Sequence, residues 1–324
     1  MRLGHLTDIH LPIAERPALA DLLSKRALGY LSWIRKRARR HNLWASDAVA
    51  ADLRAQGCEA ALISGDIVNL ALPDEFARAR AWLDRTFGGL PTYFAPGNHD
   101  AYVKAAWEET LGRLGPHMIG RRTDDPTLRP PQDAGDFPYI APLGAGGEIV
   151  LIVANSSPPT APGLATGALG RGQIERIEAA LAAEGRAGRL RILMLHHPLT
   201  PGVVSARKAL ADAAALRAAI ARAGVDLVLH GHAHIAYVGT VETPQGRAPV
   251  LGGGAASHPD GDGRFRPGRY NLIDIERSAD GGWSIHASVR EIDPETRSLR
   301  AVERHSFARP APAAPGRNRR VSAG

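Results

Sequence analysis

Five short apolar runs in this 324-residue chain each stop at a polar side chain able to bind a metal ion. The stretch Leu62-Ile63-Ser64-Gly65-Asp66 shows the design, reading as a buried strand that delivers one carboxylate to a loop. Asp8 with His10, Asn98 with His99, His196 with His197, and His232 with His234 stand at the ends of four similar runs. Residues so far apart in sequence form one site only if their strands lie side by side, and open α/β sheets gather such groups at strand carboxyl ends. Five clusters in this arrangement therefore constrain the fold more than composition does.

The rest of the chain fits strands alternating with helices. Residues 2 to 8 read as a first strand, followed by a long helix from Ala18 to His41. Ser46 stands as the N-cap of a helix ending at Gly57, and further helices are expected over 73–87, 171–184 and 206–223. Strands are expected over 59–64, 91–95, 149–154, 191–195 and 225–229, with a helix-free β-rich set over 235–241, 249–251, 269–275 and 283–289. Residues 115 to 147 read as an irregular excursion. The fold class is α/β, a four-layer αββα sandwich of two mixed sheets flanked by helices. A catalytic domain is expected over 1–306, with a basic helical insertion at 18–41 and a disordered Pro/Ala/Arg tail over 307–324.

Charge sharpens the reading of two of these segments. The net charge is +7, yet residues 25–40 hold seven Lys and Arg and no acid, and 309–320 hold four Arg. The remainder is at −4, which offers no broad basic groove and makes a nucleic-acid partner the weaker expectation. Cys58 is the sole cysteine, so no internal disulfide forms and no thiolate pair holds a metal. With no secretory leader pattern and no apolar run of membrane-span length, a cytoplasmic location is expected.

Taken in order, Asp8-x-His10, Gly65-Asp66-x-x-Asn69, Gly97-Asn98-His99-Asp100, His196 and Gly231-His232-x-His234 resemble the motif set of the calcineurin-like metallophosphoesterases. The resemblance covers residues 8 to 234. It implies that Asp8, His10 and His234 hold one divalent ion, that Asn98, His196 and His232 hold a second, and that Asp66 bridges them. It also makes His99 the catalytic histidine that meets the phosphate. His197 would line the substrate pocket or support a neighbour, Asp100 would stand behind the ligands, and Asn69 would tie the loop after Asp66. Nitrogen and oxygen ligands without thiolates suit two ions of Mn, Fe or Zn.

The implied reaction is hydrolysis of a phosphodiester or pyrophosphate by in-line attack of a metal-bridging hydroxide. Substrates of such enzymes include cyclic nucleotides and lipid-linked phosphoesters. A nuclease, or a metal-free scaffold on the same fold, is the alternative. The insertion at 18–41 carries a row of Leu, Tyr and Ile at helical spacing beside its basic residues. It is expected either to cap the site and contact anionic membrane, or to pack that apolar face on the domain.

Overall fold

The computed structural model describes residues 1–261 and 265–310. In chain order the elements are β1 (Arg2–Leu6), α1 (Arg26–Ser32), α2 (Ala38–Arg40), α3 (Leu43–Ala55), β2 (Ala60–Ile63), α4 (Pro73–Phe87), β3 (Thr92–Phe94), β4 (Tyr139–Leu143) and β5 (Ile149–Val153). They continue with α5 (Arg171–Arg186), β6 (Leu190–Met194), α6 (Ala213–Ala223), β7 (Leu227–His230), β8 (Tyr237–Thr243), β9 (Gly246–Gly252), β10 (Arg269–Arg277), β11 (Trp283–Ile292) and β12 (Leu299–Arg309).

Two mixed six-stranded sheets form the centre, in the orders β12-β11-β10-β1-β2-β3 and β4-β5-β6-β7-β9-β8. β1, β2 and β3 run parallel, as do β5, β6, β7 and β9. β5 and β6 are buried at every position, which is why they read as continuous apolar runs rather than alternating ones. One core joins inner-face residues of both sheets, such as Leu3, Leu62, Ile192 and Leu229, to the faces of α3 and α4. A second core packs α5 and α6 on the outer side of the β4–β9 sheet. This is the expected α/β sandwich, and it brings the carboxyl ends of β1, β2, β3, β6 and β7 to one end.

Several local expectations are corrected. Asn42, not Ser46, caps α3, its side chain accepting from the Trp44 amide at 3.1 Å, while Ser46 is buried one turn inside. The helix expected over 206–223 is a 3₁₀ turn at 206–208 followed by α6. β4 lies within the stretch read as irregular. β12 was absent from the expected strands, and it continues to a buried Arg309, past the 306 boundary. Residues 311–324, the greater part of the expected tail, lie outside the described residues.

The largest correction concerns the insertion. Residues 18–25 are turns rather than helix, and helical structure begins at Arg26, passes through a π turn at Trp33–Arg37 and ends at Arg40. A short helix in water depends on packing partners, and the inward residues supply them only from Arg26 onward. Arg26 donates to the carbonyls of Leu70 and Ala71, while Tyr30 and Trp33 pack on Ile13, Leu70 and Leu72. Gly29 permits the close approach, since a Cβ there would stand 2.6 Å from Leu70 Cδ2 and 2.7 Å from the Tyr102 hydroxyl. The leucine row does not pack on the domain: Leu19, Leu23, Leu28, Leu31 and Ile34 are all exposed.

Candidate metal centre

The loops after the parallel strands assemble the site. β1 ends at Leu6 and β7 at His230, so Asp8, His10, His232 and His234 belong to loops and do not share a face by strand alternation. Instead Asp8, His10, Asp66, His232 and His234 all have positive φ, between 45° and 69°. They are five of the seven non-glycine residues with that geometry among those described. Such backbone is disfavoured for residues with a Cβ and persists only where surroundings impose it, most often at functional sites.

Backbone groups hold each loop in place. Asp100 accepts from the amides of Asp66, Ile67, Val68 and Gly97 at 2.7–3.1 Å, so one buried carboxylate orders both the Asp66 and the Asn98 loops. Burial and the neighbouring Asp66 push its own carboxyl up to about 7. The Asn69 amide donates to Leu11 O at 2.8 Å, tying the Asp66 loop to the one carrying His10. Glu75, in the first turn of α4, closes the same loop by accepting from the amides of Asn69, Leu70 and Leu72 at 3.0 Å. At Gly97 any Cβ would collide with the Asp66 carboxylate.

The side chains converge as two sets. Asp8, His10, Asp66 and His234 offer ligand atoms within 4.8 Å of one another, and so do Asp66, His196 and His232. Asn98 joins the second set, its Oδ1 lying 3.2 Å from His196 Nε2. Asp66 Oδ2 is 3.8 Å from His10 Nε2 and 3.4 Å from His196 Nε2, so one carboxylate oxygen faces both sets. Its other oxygen accepts from the His99 amide at 2.7 Å. Asp8 repeats the division: Oδ2 accepts from the His232 amide at 3.0 Å, while buried Oδ1 accepts no hydrogen bond and stands 3.1 Å from His234 Nε2.

Outer contacts aim the imidazoles inward. His10 Nδ1, His196 Nδ1 and His232 Nε2 meet the carbonyls of Val68, Ser64 and Lys208 at 3.3, 2.7 and 3.0 Å, which leaves the opposite nitrogens facing the cluster. His10 Nε2 is 3.4 Å from His234 Nε2, and His196 Nε2 is 3.2 Å from His232 Nδ1. Lone pairs that converge in this way need a proton or a cation between them. An orphaned carboxylate oxygen and four converging imidazoles fit divalent ions with N/O preference, as expected of Mn, Fe or Zn.

Without ions the cluster keeps a proton. Burial disfavours a charged His196, but Asp66 and Asp8 outweigh it and raise the imidazole to about 9. Asp66 is held well below the usual carboxylate range, burial being overcome by His196 and its neighbours. Metal uptake by the stripped protein must therefore expel the His196 proton, and apparent affinity is expected to rise roughly tenfold per pH unit from pH 7 to 9. Calorimetric titrations in buffers of different ionisation enthalpy measure this directly; uptake with no proton released would contradict it.

Of the remaining sequence candidates, His99 lines a cavity of about 300 Å³ over the cluster, together with His10, His232 and His234. Its Nδ1 meets Asn69 O at 2.7 Å, and its ring stacks on Tyr102. His197 does not line the cavity. It is fully buried, bonded to Ser156 Oγ and Ala165 O at 2.9 and 3.2 Å, with its ring 4.4 Å from that of His232. Of its two expected places it takes the supporting one.

Three further side chains were not expected at the site. Arg37 Nη1 lies 3.0 and 2.9 Å from the two ring nitrogens of His99 and contacts no carboxylate among the described residues. Burial lowers its guanidinium from the usual value, and burial followed by Arg37 lowers the His99 imidazole to about 4. His41 closes the insertion, its Nδ1 2.7 Å from Ser257 Oγ and its ring 4.4 Å from that of His10. Lys208 also lines the cavity, its carbonyl 3.0 Å from His232 Nε2. The basic run was the available signal for Arg37; nothing local marked Lys208.

A buried cluster of nitrogen and oxygen donors at the joined ends of two mixed sheets is the arrangement of a protein that could hold divalent metal ions. The chain belongs to the calcineurin-like phosphoesterase family, whose model matches residues 1–236, and it is a metal-dependent phosphoesterase. No curated protein matches it. Its fold is similar to a dimetal phosphatase from Danio rerio, with a TM-score of 0.58 at 15% identity over 95% of this chain and 98% of that one. It is also similar to a purple acid phosphatase from yellow lupin, with a TM-score of 0.55 at 12% identity over 95% of this chain and 54% of the other.

Proposed function

We propose that the protein is a dinuclear phosphodiesterase, acting on a phosphodiester or pyrophosphate. Asp8, His10 and His234 would hold one divalent ion and Asn98, His196 and His232 the other, with Asp66 shared. When bound, such ions supply Lewis acidity and bring a water proton within reach of neutral pH. The observation that carries the diester reading is the cavity over the cluster, which Ser32, Arg37, Arg40 and Phe265 line together with His10, His99, His232 and His234. A diester places a second ester arm beside the phosphorus, and these further lining residues offer it a surface. Lys208 and Arg37 add cations for its non-bridging oxygens.

His99 is the catalytic residue of this proposal. Its Nδ1 faces Asn69 O at 2.7 Å and its Nε2 lies 2.9 Å from Arg37 Nη1, so Nε2 would meet the leaving oxygen only after Arg37 turns from the ring to the phosphate and the imidazole takes up a second proton. No described helix is long and apolar enough to cross a membrane.

The test is metal analysis of the purified protein followed by hydrolysis of bis(p-nitrophenyl) phosphate, p-nitrophenyl phosphate, a cyclic nucleotide and a lipid pyrophosphate. Two ions per chain with the diester faster than the monoester is the expected result; monoester preference would overturn the diester assignment. His99→Ala is expected to keep its metals yet lose roughly 10²–10⁴-fold in turnover on an alkyl diester, and far less on a nitrophenyl diester whose departure needs no proton. Equal losses on both would make His99 a positioning residue only.

A further inference from the structure

The basic run divides by direction. Lys25 donates to Thr160, Arg26 to the carbonyls of Leu70 and Ala71, and Arg37 turns onto His99, so these three fasten the insertion to the domain. Arg35, Lys36 and Arg39 point to solvent instead. On that outer side Leu28, Leu31, Arg35 and Arg39 recur at spacings of three, four and four, which places them on one helical face. Leu19 and Leu23, in the turns before α1, add to the exposed apolar surface.

The exposures are large: 77% for Leu19, 88% for Leu23, 58% for Leu28, 43% for Leu31 and 49% for Ile34. These are half of the ten large hydrophobic residues exposed among those described, gathered within sixteen positions. A cavity of about 340 Å³ lined by Arg35, Lys36, Arg39 and Arg40 opens beside them, and it shares Arg40 and His258 with the cavity over the ligand cluster. Asp260 is the one carboxylate among its described lining residues.

We infer that this outer face of residues 19–39 docks on the surface of an anionic bilayer, with the leucines in the acyl boundary and Arg35, Lys36 and Arg39 among the headgroup phosphates. Exposed leucines followed directly by a cluster of cations on one projecting face match a headgroup region beside acyl chains, whereas a protein groove would take an apolar stripe without the flanking charge. Because the same segment carries Arg37 into the site, docking sets the cavity mouth against the lipid surface. The substrate class that follows is a phosphoester of an amphipathic lipid, and this step rests on the phosphodiesterase reading above.

The experiment is co-sedimentation of the full chain with phosphatidylcholine vesicles, with and without phosphatidylglycerol, alongside hydrolysis of bis(p-nitrophenyl) phosphate in vesicle-free buffer. The wild type is expected to bind the anionic vesicles and not the neutral ones. The variant Arg35→Gln/Lys36→Gln/Arg39→Gln is expected to lose about 10²-fold in partitioning at low salt, each cation being worth roughly fivefold. The variant Leu19→Ser/Leu23→Ser/Leu28→Ser is expected to release from anionic vesicles as salt is raised, with soluble diester turnover unchanged in both variants. No binding by the wild type, or wild-type binding by both variants, would overturn docking while intact diester hydrolysis left the enzymatic reading standing. Binding with no diester hydrolysis would support docking and defeat the diesterase reading. A vesicle-free dimer abolished by the leucine variant would assign the face to a second copy of this chain and overturn the bilayer.

Discussion

Asp66→Asn is expected to strip metal from both halves of the ligand cluster and to lower phosphoester hydrolysis by roughly 10³-fold or more, the scale on which one member of a cooperating catalytic set acts. The reason is geometric. One oxygen of Asp66 faces His10 and His196 at 3.8 and 3.4 Å, so among the described residues it is the carboxylate oxygen placed toward both sets. The substitution keeps an oxygen for the His99 amide, preserves size, and removes the charge that offsets repulsion between two cations. Asn98→Ala touches only the His196 side and is expected to weaken one ion more than the other. Metal analysis of the two variants, with circular dichroism to confirm folding, reads the difference. Two ions per chain retained in Asp66→Asn would sink the shared role.

The second large effect is expected at Arg37. A buried guanidinium with no carboxylate partner among the described residues holds its charge at a cost, which an anion entering the cavity would offset. Arg37→Ala is expected to lower kcat/KM on diesters by roughly 10²–10³-fold, the loss seen when one donor to a developing oxyanion is removed. Metal content should be unchanged, since Arg37 touches His99 and none of the expected ligands. Arg37→Lys should recover little, because an ammonium on that stem cannot present a planar fork to phosphate. Added guanidinium ion should restore part of the activity of Arg37→Ala. A variant that loses only thermal stability, with no rescue by guanidinium, would make Arg37 a strut for the insertion and nothing more.

The contrast between Asp66 and Arg37 marks what the chain disclosed before its structure. Asp8, His10, Asp66, Asn98, His196, His232 and His234 were legible because each follows an apolar run, and parallel strands bring such ends together whatever the intervening loops do. Asp8 and His10 themselves meet through left-handed backbone beyond the strand rather than through alternation along it. Periodicity predicts one amphipathic helix over the insertion, yet it cannot tell which face finds a partner. Gly29, Tyr30 and Trp33 found one, and the leucines did not. β12 escaped notice because an edge strand with the sequence Leu-Arg-Ala-Val-Glu-Arg-His-Ser has too few apolar residues to declare itself. Lys208 joins the site from across the fold, and only tertiary structure places it there.

The strand that begins the chain is also the one that can be finished only near its end. β1 lies between β2 and β10, and Arg2 to His5 pair with residues 271–274. On a ribosome, Asp8 and His10 emerge early, yet His232 and His234 follow more than two hundred residues later and β10 later still. At ordinary elongation rates that interval is roughly ten to fifty seconds, during which the growing polypeptide holds ligands without a site. Until then neither group of clustered side chains is complete, so a metal ion met by the nascent chain would find only part of the set. The clustered side chains come together only once both sheets have docked.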